Sequence, residues 1–138
     1  MKKLLFILTL AFTLQLSAQD NFNWLTDYKV ALEQSKAQDK VILAYVTDNH
    51  KTEASAVLKT TFFSSEDFKT MSSKVILLNL DISDKNSYNA RLGIHYMNNP
   101  SVIGLALINE YNDKIGDPLT DITADNIASF IIFLNSKL

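Results

Sequence analysis

The sequence predicts an α/β domain with a central mixed sheet of about four strands flanked by helices. Three observations lead there. Three continuous apolar runs, Val41–Val46, Lys74–Leu80 and Val102–Ile108, read as strands buried on both faces. The stretches between the runs carry helix-favouring residues and caps, and strands separated by helices give a parallel pair by right-handed crossover. After the third run, Tyr111-Asn112-Asp113-Lys114 reads as a hairpin turn into a short edge strand near Ile115, which makes the sheet mixed.

The elements follow in order. Trp24-Leu25 precedes Thr26, a helix-capping residue. From Asp27 to Gln38 the residues favour helix, with Tyr28, Ala31, Leu32 and Ser35 on one face. Trp24 reads as a core or staple residue beside that helix start. Thr47 to Lys51 is a loop, and Thr52 or Asn49 caps a helix from Glu53 to Thr60 with Ala54, Val57 and Leu58 inward. Phe62 and Phe63 read as core. Ser64 and Asp67 suggest a capped start to a helix through Met71. Ser87 to Leu92 reads as a short helix closed by Gly93 in a left-handed C-terminal position, followed by a loop from Ile94 to Asn99. Thr123 caps a last helix with Ile127, Phe130, Ile131 and Leu134 at helical spacing.

Composition bounds the function. The 138 residues suit one domain, and 47% hydrophobic with 20% charged content is a globular balance. Lys2 and Lys3, the apolar run Leu4–Leu14 and the cleavage site Leu16-Ser17-Ala18 before Gln19 form the pattern of a secretory signal peptide. The expected organisation is a signal peptide over 1–18 and one domain over 19–138, placing the mature protein in the periplasm or outside the cell. Cleavage removes two of the 13 basic residues and none of the 15 acids, leaving a net charge of about −4. That balance does not suit nucleic acid, which needs a clustered basic face, nor stable association with an anionic membrane.

There is no cysteine. Thiol–disulfide exchange requires a thiolate, so that chemistry is excluded, as are thiolate zinc sites and structural disulfides.

The stretch Val41–Phe68 carries a resemblance. It runs as a buried strand, a polar loop, a helix and then Phe63-Ser64-Ser65-Glu66-Asp67-Phe68. This resembles the small exported thioredoxin-like proteins, whose pattern is strand, W-C-x-x-C, helix, F-S-x-x-x-F. The resemblance implies a thioredoxin-like fold over nearly all of the mature chain. Counting between the anchors puts the two cysteine positions on Thr52 and Ser55 and the tryptophan on Lys51. Lys51, Thr52, Glu53, Ala54 and Ser55 are thus pseudo-active-site positions. The resemblance also implies a cis-proline at Asn99-Pro100-Ser101 facing that loop; an ordinary trans-proline opening a strand is the other reading. The family's Gly-Val step normally stands three residues before the proline, whereas Gly93-Ile94 is followed by five, His95 to Asn99. Either two residues are inserted or Tyr96 stands in the valine's place.

The function expected on these grounds is a redox-inactive thioredoxin-like module that binds an exported protein or peptide. Its candidate groove is formed by His50, Asn99, Pro100 and Ser101, where backbone hydrogen bonds would carry much of the binding. No catalytic residue, metal ligand or cofactor is expected. Two rivals stand beside this reading. One is a non-redox enzyme in which His50 works with Asp48, Glu53 and His95, with or without a metal, although their spacing fits no metal motif. The other is an assembly subunit with an exposed apolar patch around Tyr96 and Met97. Thr52 and Ser55 lack the setting of a hydroxyl nucleophile and read as small polar residues of a first helical turn. The scattered acids, such as Asp81, Asp84 and Asp117, read as solvated turns.

Overall fold

A computed structural model describes residues 22–50, 52–99 and 102–138. The expected signal peptide, Lys51, Pro100 and Ser101 lie outside the described residues.

Strand β1 (Ile42–Thr47) is central. Strand β2 (Ile76–Asp81) pairs with it in parallel, Tyr45 opposite Asn79 and Thr47 opposite Asp81. Strand β3 (Gly104–Ile108) pairs on the other side in antiparallel fashion, Val46 opposite Gly104. The helices are α1 (Tyr28–Gln38), α2 (Glu53–Val57), α3 (Glu66–Ser72), α4 (Tyr88–Met97) and α5 (Ala124–Lys137). The expected fourth strand is reduced to isolated bridges, Lys114 to Ile108 and Leu119 to Leu105.

Alternation along β1 explains its unbroken apolar character. Ile42, Ala44 and Val46 face a core shared with Tyr28 and Ala31 of α1 and with Ala90, Leu92 and Tyr96 of α4. Leu43 and the half-buried Tyr45 face the second core, with Phe62, Phe68, Phe130 and Leu134. Both faces of the sheet are therefore covered by helices, as its parallel half requires.

Both outer strands are also covered along their edges. Leu25 bridges β2 through Leu25 N–H to the Leu77 carbonyl (2.9 Å) and Asn79 N–H to the Leu25 carbonyl (2.8 Å). Leu119 exchanges a similar pair with Leu105 of β3, at 3.1 and 2.8 Å.

Several local expectations are corrected. Gly93 does not end a helix; it lies inside α4, which continues through the expected loop to Met97 and stops at Asn98 in left-handed conformation, φ 57°. The glycine serves close packing instead, since a Cβ there would stand 2.6 Å from Ile82 Cγ2 and 3.1 Å from Val46 Cγ1. Tyr96 and Met97 are consequently core residues, not an exposed patch. The helix cap before α1 is Asp27, which accepts from Lys29 N–H, and the cap of α3 is Ser65 rather than Ser64. Trp24 packs in the core on the face opposite α1, against Phe63, Tyr45 and Phe68. The helix begun at Glu53 does not stay α-helical: Leu58–Phe63 widens into a π-helix. Phe62 is buried there and the adjacent Phe63 half-buried, and both join the aromatic cluster.

Tyr96 ties α4 to the β3 hairpin, its hydroxyl donating to Asn112 Oδ1. Burial, with Tyr28 and Tyr88 nearby, pushes its ionisation well above the usual tyrosine range. A raised folded-state value gives stability that is full below the unfolded value, about pH 10, and lost as the pH rises beyond it. Tyr96→Phe is expected to cost about 1 kcal/mol at neutral pH through the lost hydrogen bond. Its stability should then fall less steeply than that of the parent above pH 10 in denaturant titrations. Equal alkaline slopes would contradict this account.

Candidate binding site

The site grows from the end of β1. Beyond Thr47 the chain turns with Asn49 in left-handed conformation, φ 62°, a geometry asparagine tolerates better than most residues. Asn49 N–H donates to Thr47 Oγ1 (3.2 Å), and its side-chain amide donates to Asp81 Oδ2 (2.5 Å) at the end of β2. Asp48 Oδ1 accepts from His50 N–H at 3.0 Å, and Asp48 Oδ2 stands 3.2 Å from His50 Nδ1. The loop is thus pinned at three successive residues before the helix begins.

Two carboxylates respond to this setting. Partial desolvation pushes the Asp48 carboxyl up, but the hydrogen bonds and charge of His50 outweigh it and leave the group below the usual aspartate range. Hydrogen bonds from Ser83, with a further one from Asn49, hold Asp81 low as well, against desolvation and the repulsion of Asp48. Depressed folded-state values stabilise the loop above the ordinary carboxylate range, and this support is lost in acid as the groups protonate.

Helix α2 opens with a reciprocal cap. Thr52 Oγ1 accepts from Ser55 N–H (3.1 Å), and Ser55 Oγ accepts from Thr52 N–H (3.0 Å). Ser55 Oγ also donates towards the Thr52 carbonyl at 2.9 Å. The two hydroxyls are committed to the first helical turn, as expected of small polar residues in that place. Glu53 is exposed, Ala54 half-buried and His50 exposed at 77% of its side chain.

The juxtaposition of positions 52 and 55 has a test. Each side chain reaches the backbone of the other residue, so the pair is close enough for the geometry of a disulfide, with α-carbons roughly 4.4–6.8 Å apart. Thr52→Cys with Ser55→Cys is expected to close an internal disulfide on mild oxidation, at a cost of about 1 kcal/mol for the lost cap before oxidation. Mass spectrometry should find the loss of two hydrogens in a monomer. A free dithiol, or only intermolecular links, would show that these are not the family's cysteine positions.

Alongside α2 lies a groove of about 720 Å³. Its lining comes from β1 (Tyr45 and Thr47), the loop (Asn49 and His50), α2 (Thr52, Glu53, Ser55 and Ala56), the π-helical turn (Lys59 and Phe63) and β2 (Asn79). The groove and the start of β3 sit at the same end of the sheet but on opposite flanks of β1, because β2 and β3 are its two neighbours. Of the groove expected from sequence, His50 lines this cavity, Asn99 is exposed and does not, and Pro100 and Ser101 fall outside the described residues. Tyr45, Lys59, Phe63 and Asn79 had not been singled out as ligand contacts. A signal existed for Asn79, the sole polar residue in the run Val75–Leu80. Among the described residues, no three His, Asp or Glu side chains gather as metal ligands, so Glu53 and His95 do not complete a site with the Asp48–His50 pair.

The comparisons with known proteins agree with this architecture. A family model described as thioredoxin-like matches residues 23–105. The chain belongs to the thioredoxin-like family. Among solved structures, one titled "DsbH Oxidoreductase" superposes with a TM-score of 0.67 at 20% identity, covering 86% of this chain and 85% of that one. That similarity concerns the fold. Compared with curated proteins, the sequence matches none.

The mixed sheet flanked by helices is therefore a thioredoxin-like fold, and it is built without a single cysteine. Without a cysteine in the chain, a thiolate for disulfide exchange is missing.

Proposed function

We propose that this chain is an exported, redox-inactive thioredoxin-like domain that binds an exported protein or peptide at the face where α2 begins. The observation that carries the reading is the capped start of α2 beside an open groove. The hydroxyls at the former thiol positions are spent on the helix, whereas the groove next to them keeps half-buried aromatic and amide side chains exposed to a ligand. Such a mixture of apolar floor and a few polar groups suits recognition rather than bond making. The similar structure is titled an oxidoreductase; the shared fold and the absent cysteines support descent of a binding surface without the redox step.

The test is resonance mapping of isotope-labelled protein spanning residues 19–138 with a pool of extended peptides. Shifts concentrated on Asn49–Ala56 and the ends of β1 and β2 are expected. An unperturbed spectrum at millimolar peptide, or shifts confined to α1 or α5, would sink the proposal. Export is read separately, by N-terminal sequencing of protein recovered from outside the cytoplasm, where a chain starting near Gln19 is expected and an intact Met1 is not.

A further inference from the structure

The groove floor has a chemistry of its own. Tyr45 and Asn79 are register partners in the middle of the parallel pair β1–β2, so their side chains leave the sheet on one face, side by side. Both are half-buried. The Asn79 N–H donates to the Leu25 carbonyl, yet among the described residues no hydrogen bond engages its side-chain amide or the Tyr45 hydroxyl. A lone asparagine in an otherwise apolar strand costs sheet stability and here points its donor and acceptor at a cavity.

Aromatic geometry narrows what the cavity takes. Tyr45 and Phe63 meet at 60° with centroids 5.0 Å apart, and Trp24 closes behind them at 6.2 and 5.5 Å. The rings form a corner, not a flat platform. A corner of tilted rings accepts the edge of another ring or a branched aliphatic side chain, whereas a sugar ring needs an open aromatic face to lie on. Charge at the rim is balanced, Glu53 against Lys59, so nothing selects a strongly ionic ligand.

We propose that this groove is a side-chain pocket for a peptide: it takes one bulky apolar residue, aromatic above all, against the Tyr45–Phe63 corner, while the Asn79 amide pairs with the peptide unit of that residue. An asparagine amide offers an N–H donor beside a carbonyl acceptor in one plane, matching the N–H and C=O that a single extended residue presents along one edge. The inference rests on the peptide-binding reading and adds the identity of the residue read and its location on the β2 flank of β1.

The protein carries its own reporter, because Trp24 is the single tryptophan and touches both corner rings. The experiment titrates two capped ten-residue peptides, identical but for a central Phe or Gly, and methyl β-glucoside, following Trp24 emission and the Asn79 side-chain amide resonance. The Phe peptide is expected to move both signals and to bind at least tenfold more tightly than the Gly peptide. Asn79→Leu should weaken it about tenfold, and Ala56→Glu, on the exposed rim and neutral for folding, should weaken it similarly. Equal binding of the Phe and Gly peptides, or shifts near Asn98 with Asn79 unmoved, overturns the pocket while leaving peptide binding in place. Binding of neither peptide by any signal overturns both readings. A response to the glucoside alone reassigns the groove to carbohydrate and overturns the inference.

Discussion

Gly104→Ala is expected to be among the most damaging single substitutions in this domain. The Cβ it adds would stand 2.0 Å from the Leu119 carbonyl oxygen and 3.1 Å from both the Leu119 carbonyl carbon and Met97 Sδ. A flexible side-chain tip can step aside; a backbone carbonyl in a bridge cannot without moving its segment. That segment holds both hydrogen bonds with Leu105 and buries the Leu119 side chain in the second core. Overpacking commonly costs 1–3 kcal/mol, and two disrupted hydrogen bonds add about 1 kcal/mol each. A loss of about 3–5 kcal/mol follows, or a fall in Tm of roughly 10–20 °C for a domain of this size. Gly93→Ala is the internal comparison. Its nearest contact is the Ile82 Cγ2 methyl, a side-chain atom, and alanine gains helix propensity there, so the change should be clearly milder. Thermal melts of the two variants decide the matter, and a Gly104→Ala variant melting within 2 °C of the parent on this rough scale would refute the close-approach account.

Phe68→Ala is expected to cost about 3–5 kcal/mol, the usual range for removing a buried ring. Phe68 is fully buried and touches Phe22 at 4.7 Å, Phe62 and Phe63 at 5.2 Å and Trp24 at 6.3 Å between centroids. Its removal leaves a cavity among the rings of Phe22, Trp24, Phe62 and Phe63. The damage should also be visible at a distance. Trp24 and Phe63 lose a common support, so Trp24 emission should shift even under conditions where the variant remains folded. Phe68→Leu keeps most of the volume and is expected to cost less than half as much. Chemical denaturation followed through Trp24 tests both statements, and equal costs for Ala and Leu would show that the cluster is not packed as described.

The strands were readable because a two-sided sheet leaves a local mark. Burial on both faces forces consecutive apolar residues, and Val41–Val46 and Lys74–Leu80 show it within six or seven positions. Thr52 and Thr123 were readable as caps for the same reason: the partner N–H is three residues away. Gly93 was misread because its role depends on Ile82 and Val46, which no local pattern connects to it. The same holds for the π-helical turn, whose widened geometry serves two adjacent phenylalanines reaching into one aromatic cluster. At the site, the assignment of the family's cysteine positions to 52 and 55 is an expectation from the spacing between anchors, which the double-cysteine variant tests. Tyr45 and Asn79 are 34 positions apart, and only the parallel register places them side by side.

Covering both sheet edges with short segments has a colloidal consequence. An uncovered outer strand is a template for adding another chain, and this protein has no disulfide to hold its covers in place. The cover on β2 is a single residue, Leu25, held by two hydrogen bonds near the start of the described chain. A segment held by so few backbone bonds opens locally at low cost. Resistance to strand-by-strand aggregation therefore depends less on global stability than on whether residues 22–25 stay docked. Undocking of Leu25 would bare the Leu77 carbonyl and the Asn79 N–H, and such an edge is expected to add strands from other chains.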